Sequence, residues 1–255
     1  MSKTWLVANF LELPIPADEA IGRAESLLEA ATGDPWAEAA ILLPLSMLYG
    51  YAGRFADARA AYRRCQSIFT GSGAKLDWAV CAFVVGKIEL TAGDPAAAER
   101  NLRQGHEVLR AMGERGYRAT TAAILAEAVY TQGRLGQALG LTEEAEAHAG
   151  AADFDTQSRW RATRAKLFAR RSQFGLAARL AEEALALIPA TCHTPELAEF
   201  LVAKAEVSQL AGALDDAEAC LRRALQLYED RRMVPLAERT RASLASLAAQ
   251  RPAPR

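Results

Sequence analysis

Seven basic residues fall within one stretch of the middle of the chain with no acid among them: Arg159, Arg161, Arg164, Lys166, Arg170, Arg171 and Arg179. Just upstream lies an acidic block of Glu143, Glu144, Glu146, Asp153 and Asp155. Guanidinium groups present a planar fork of donors that fits a carboxylate or phosphate. Two readings follow. The basic stretch pairs with the acidic block between neighbouring elements or faces water, or it forms a wall that holds an anionic ligand.

Other reactive side chains do not assemble into a site. The three histidines, His106, His148 and His193, are too far apart in sequence for a pair of metal ligands on one helix turn. Cys192-His193 could bind metal or act as a thiol pair, but a solvated loop is the simpler reading. The four cysteines, Cys65, Cys81, Cys192 and Cys220, form no CxxC pair; buried reduced thiols account for Cys65, Cys81 and Cys220. The stretch "GSGAKLD" at 71–77 lacks the GK[ST] core of a phosphate loop, and Gly86-Lys87 falls inside a helical pattern. No GxSxG elbow occurs, and Glu143-Glu144 beside Glu146 reads as a solvated acidic face. With no nucleophile, base and oxyanion site in reach of one another, the expectation is a protein that is not an enzyme, with no cofactor and no metal.

Thirty Lys and Arg residues balance 31 Asp and Glu, a net charge of −1 that gives no general drive toward nucleic acid or membrane. The apolar start, Trp5 to Leu11, is too short for a secretory leader, and no stretch has the roughly 18 apolar residues that span a bilayer. These features point to the cytoplasm.

The elements that must position any site are set by a ruler. Tight-turn residues recur at Gly53, Gly93, Gly133, Ser172 and Gly212, with spacings of 40, 40, 39 and 40. Five residues after each turn stands an alanine: Ala58, Ala98, Ala138, Ala177 and Ala217. Seven before it stand Ser46, Gly86, Ala126, Ala165 and Ala205; twelve after it stand Cys65, Gly105, Ala145, Ala184 and Ala224. Three small columns per repeat mean that two helices cross there with no room for a larger side chain. Apolar spacing at three and four makes each unit a helix, a short turn, a second helix and a longer linker, with linkers near 71–74, 113–116, 150–155 and 189–194.

A fixed period of this size marks a solenoid in which each repeat contacts mainly its neighbours. Residues 1–35 read as a lead-in plus a capping helix at 16–31, residues 36–230 as five repeats, 231–250 as a closing helix and 251–255 as a disordered tail. Asp34-Pro35, Asp94-Pro95 and Thr194-Pro195 are helix-start signals, and Pro44 should kink its helix or remove one hydrogen bond.

These columns resemble the tetratricopeptide repeat, with its glycine turn and small residues in both helices, over about residues 36–230. The period near 40 exceeds the usual 34 or so and is similar to the sensor regions of MalT-like and LuxR-type bacterial regulators. The segments "GKIELTAGDPAAAERNLRQGHEVLRAMGERGYRATTAAILAEAVYTQGRLGQALGLTEEAE" and "RWRATRAKLFARRSQFGLAARLAEEAL" resemble the C-terminal repeat region of large actinobacterial ATPase regulators, some with cyclase domains and some with LuxR-type DNA-binding domains. The resemblance implies an all-α, right-handed helical-repeat solenoid of five helix pairs plus terminal helices.

It also implies that the first helix of each pair lines a concave groove, on columns thirteen, ten, six, three and two residues before the turn. Those columns select Met47 and Tyr51, then Phe83 and Lys87, then Glu127 and Tyr130, then Arg159, Lys166 and Arg170, and last Glu206. The groove so drawn is apolar at its N-terminal end, basic in the middle and acidic at the C-terminal end, which suits an extended peptide or helix of matching polarity. The Lys and Asn clamp of chaperone-tail binders is missing, since Asn9 and Asn101 lie off these columns. The expected function is a non-catalytic interaction module for a protein or peptide segment; the alternative is a sensor for an anionic small molecule in the same groove.

Overall fold

The computed structural model describes residue 11 and residues 15–188 and 195–250. Cys192-His193, Thr194, the 251–255 tail and nearly all of 1–13 lie outside the described residues. The chain forms helices throughout, with no strand among the described residues. A leading helix α1 (Ala17–Glu29) precedes five antiparallel pairs. These are α2 (Pro35–Tyr51) with α3 (Phe55–Ser72), α4 (Lys75–Thr91) with α5 (Pro95–Ala111), and α6 (Gly116–Thr131) with α7 (Leu135–His148). Then follow α8 (Phe154–Arg170) with α9 (Phe174–Ala186), and α10 (Pro195–Leu210) with α11 (Leu214–Asp230). A single helix α12 (Val234–Ala249) ends the array.

Local signals set the helix ends. The Asp34 carboxylate accepts from the Trp36 and Ala37 amides, Asp94 from Ala97, and Asp153 from Thr156, satisfying donors that have no partner inside the helix. Helix α2 runs through Pro44 without a break, so the proline costs a hydrogen bond and not the element. The turn residues of the ruler are left-handed, including Ser172 at φ 60°. The joints between pairs use the same device, at Gly33, Gly73 and Gly113. Positive-φ glycines thus recur every twenty residues from Gly33 to Gly133. The expected longer linker between pairs is present at three joints, 112–115, 149–153 and 187–194, against three residues within each pair, and is missing only between α3 and α4, where two residues intervene. The long period is absorbed by helices of up to 18 residues in the first pairs and by longer joints after the shorter second helices of the later ones.

The three small columns are buried at the crossings. Ser46, Ala58, Ala98, Ala126, Ala138, Ala145, Ala165, Ala177, Ala217 and Ala224 are all fully excluded from solvent. A Cβ on Gly105 would sit 2.3 Å from the Ala82 Cβ and 2.7 Å from the Ala79 carbonyl oxygen, and one on Gly86 would sit 2.6 Å from Leu102. The helices approach so closely there that only hydrogen fits.

The two ends of the array meet. The Ala17 amide donates to the Arg231 carbonyl at 2.9 Å, and Asp18 pairs with Arg232. Ala20 and Ile21 of α1 share one apolar core with Leu221, Met233 and Leu247 from the other end. On α12, Arg239 donates to the Leu90 carbonyl of α4 at 2.7 Å. A solenoid's terminal repeats have an apolar face with no neighbour. Here the two terminal faces cover each other, and the groove becomes a lumen.

Candidate functional site

A cavity of about 520 Å³ occupies this lumen, lined from all five pairs and from α12. Its wall carries Tyr51, Lys87, Glu127, Arg159, Lys166 and Glu206. Tyr130 and Arg170 reach Glu206 from the rim. Met47 packs inside the apolar core, and half-buried Phe83 packs on the cores of the first and third pairs; neither lines the cavity.

The 40-residue spacing places one column of α4, α6, α8 and α10 side by side, and that column reads Lys87, Glu127, Lys166, Glu206, alternating in sign. Neighbouring repeats therefore offer each other counter-charges. Lys166 Nζ lies 2.5 and 2.6 Å from the two Glu127 oxygens, to which the Thr163 hydroxyl also donates at 3.0 Å. Burial opposes the Lys166 charge, but Glu127 more than offsets it and lifts the pKa to about 12. The same ammonium sits 4.5 Å over the Tyr130 ring. Tyr130 Oη donates to Glu206 at 2.5 Å and accepts from Arg170 Nε at 3.1 Å, while Arg170 Nη2 reaches Glu206 at 3.0 Å.

A second cluster crosses the lumen. Lys87 Nζ on α4 reaches Glu196 Oε1 on α10 at 2.8 Å, joining the second pair to the fifth. Arg159, only 5% exposed, contacts the same Glu196 oxygen at 3.4 Å, both Glu199 oxygens at 3.0 and 2.9 Å, and Asp155 at 3.0 Å. Burial works against the Glu196 charge, yet Lys87 and Arg159 hold its carboxyl down at about 2. Lys87 stays above its ordinary range: burial and Arg159 oppose its charge, and Glu196 prevails. Instead of an apolar-to-basic-to-acidic gradient, the lumen presents charges already matched across repeats.

Arg161 and Arg164 bond residues that do not line the cavity. Arg164 pairs with Glu146 at 2.6 Å and Arg161 with Glu183 at 3.4 Å, and both guanidinium groups stack on Trp160 at 4.3 and 4.1 Å. His106 and Arg118 share Glu144 at 2.9 and 3.1 Å. Among the described residues no group of three His, Cys, Asp or Glu is placed to hold a metal. No helix among them is long and apolar enough to cross a membrane.

Several lumen residues are not on the five groove columns. Ile124, Thr163 and Ala203 share a column nine before the turn, one helical turn from the columns chosen. Glu196, which bonds Lys87 and Arg159 behind the cavity wall, lies three residues before Glu199 on the same helix face, a signal the sequence carries. Tyr228 and Arg239 carry no such signal, because only closure of the array brings α11 and α12 to the lumen.

No protein-family model matches this sequence, and no curated protein matches it. Solved structures do. The chain is similar to NprR in complex with its cognate peptide NprX (TM-score 0.66, 13% identity, covering 96% of this chain and 68% of that one). It is similar to the Rap conjugation gene regulator of plasmid pLS20 in complex with the Phr* peptide (TM-score 0.65, 14% identity, 98% and 74%). It is also similar to TTC0263, a thermophilic TPR protein of Thermus thermophilus (TM-score 0.54, 22% identity, 82% and 97%). The paired helices, the buried small columns and these likenesses agree on one fold: the chain is a tetratricopeptide-like helical-repeat solenoid.

Proposed function

We propose that this chain is a non-catalytic interaction module that takes a peptide segment into the lumen of its solenoid. The observation that carries the reading is the cavity itself, enclosed by the first helix of every pair, with fixed charges and phenols set among apolar side chains on its wall. Two solved structures with this fold hold peptides. Matched charges suit peptide capture, because peptide groups can exchange with internal partners without leaving a buried charge bare, which would cost several kcal/mol. The roughly 300–1,000 Å³ range of small-ligand pockets includes this cavity, which favours, as the second reading, a sensor for an anionic small molecule of the kind the MalT-like resemblance implies.

The test is a thermal-shift titration of the full chain with a mixture of random-sequence nonapeptides, since a ligand of the native state raises its stability by mass action. The lumen is blocked by Thr131→Trp or Ser243→Trp, both exposed positions on the cavity wall. Arg171→Glu, exposed on the outside, is the control. The expected result is a shift in wild type and control that both blocked variants lose. No shift with any peptide, or an equal shift in the blocked variants, overturns the reading.

A further inference from the structure

Six of the eight large apolar side chains left exposed among the described residues stand on one edge of the array: Trp36, Leu76, Met112, Tyr117, Phe154 and Val234. The first helices run parallel, so the joints that lead into them share that edge. Trp36, Leu76 and Tyr117 are the second residues of α2, α4 and α6, Phe154 and Val234 are the first of α8 and α12, and Met112 directly follows α5. The other two, Phe174 and Leu176, lie at the opposite edge in the first turn of α9. None of the six lines the cavity. Single exposed apolar residues are ordinary on a surface. From Trp36 to Phe154, however, every one of four successive joints carries at least one, and stacked helices bring neighbouring joints within about 10 Å. The first rung of this ladder is held in place, because the Trp36 ring packs on that of Phe69 with centroids 5.7 Å apart.

The charges between the rungs say what can cover them. Glu29, Asp77 and Glu107 are exposed at these joints, as are Lys75, Arg110 and Arg115, and none of the six has an ion-pair partner among the described residues. An edge with one sign in excess would repel its own copy. An edge with three free acids and three free bases complements itself when a two-fold axis sets each sign against the other. The apolar area agrees. The six side chains are between 36% and 53% exposed. With aromatic side chains of about 150–250 Å² and aliphatic ones somewhat smaller, they present about 500 Å². A stable homodimer takes about 800 Å² from each partner, of which about 65%, or roughly 500 Å², is apolar.

We infer that this edge is the interface of a homodimer, in which two copies of the chain meet ladder to ladder about a two-fold axis. Trp36 and Tyr117 are its anchors, since large aromatic side chains carry most of the energy of such contacts. The free acids of one copy face the free bases of the other around them. The inference is independent of what the lumen holds.

The experiment is analytical ultracentrifugation of the full chain across the micromolar range. The expected result is a reversible species of twice the chain's mass. Trp36→Asp with Tyr117→Asp should raise its dissociation constant roughly thirtyfold or more, and Leu176→Asp on the opposite edge should leave it unchanged. Far-UV circular dichroism checks that each variant is folded. A second arm, confined to exposed positions, keeps the test open if the double aspartate variant fails to fold. One protein carries Lys75→Glu, Arg110→Glu and Arg115→Glu, and the other Glu29→Lys, Asp77→Lys and Glu107→Lys. Each alone should be monomeric, and an equimolar mixture should dimerise. A wild-type chain that stays monomeric throughout overturns the inference. So does a dimer that survives the ladder variants, a dimer that Leu176→Asp weakens equally, or charge variants that self-associate like wild type or stay apart when mixed.

Discussion

Replacing glycine by alanine at three helical positions should have three different results, and only the helix crossings decide which. Inside a helix the exchange gains about 1 kcal/mol from lower unfolded-state entropy and better propensity. At Gly140, where a Cβ meets nothing within 4 Å, that gain stands alone, and melting should rise by about 2–4 °C for a chain of this size. At Gly105 the new carbon would lie 2.3 Å from the Ala82 Cβ and 2.7 Å from the backbone oxygen of Ala79. Carbon atoms prefer about 3.5–4.0 Å, so α4 and α5 must part by more than an ångström along their crossing. Overpacking of this kind costs about 1–3 kcal/mol, and the obstacle is partly backbone, which cannot turn aside. Set against that gain, the net for Gly105→Ala is a loss of up to about 2 kcal/mol, or up to about 8 °C. Gly86→Ala should fall between them, because its obstacle, Leu102, is a side chain that can rotate, although it is fully buried. Melting followed by far-UV circular dichroism should rank the proteins Gly140→Ala, wild type, Gly86→Ala, Gly105→Ala. A Gly105→Ala protein that melts at or above wild type would refute the claim that the small columns are contact points.

Two further outcomes follow. Ala138→Leu and Ala177→Leu, each at a fully buried crossing, should destabilise by about 1–3 kcal/mol in urea unfolding, whereas unchanged midpoints would show slack at those sites. The lumen charges should give stability a defined pH window. Glu196 is held at about 2 from an ordinary 4.5, so its contribution is present above 4.5 and fades as pH falls toward 2. Lys166 is lifted to about 12 from 10.5, so its contribution is complete below 10.5 and fades as pH rises through 12. Melting temperature against pH should fall at both ends, and Glu196→Gln should flatten the acid limb; an unaltered acid limb would mean that the cross-lumen pair does not stabilise the fold.

The ruler of small residues and turn residues was enough to specify the helix pairs, because close crossing and left-handed turns are local demands that only a few residue types meet. Glycine at 105, alanine at 138 and 177, and the caps at Asp34 and Asp94 are legible for that reason. Most of the cavity wall was legible too, since a fixed period carries one column of each first helix to the same side, and Lys87, Glu127, Lys166 and Glu206 lie on it. What that column would meet was not legible. Reading each repeat alone makes the groove a gradient; only stacking shows that Glu127 neutralises Lys166. The single linear array implied by the period was also incomplete, because local rules say nothing about the total curvature of five repeats. That curvature brings α12 against α2 and α4, puts Asp18 beside Arg232, and turns Tyr228 and Arg239 from end residues into walls of the lumen. The repeat unit is a property of neighbours in sequence and was written there; the closure of the solenoid, and with it the chemistry of the site, is a property of residues more than a hundred positions apart and was decided by the tertiary structure alone.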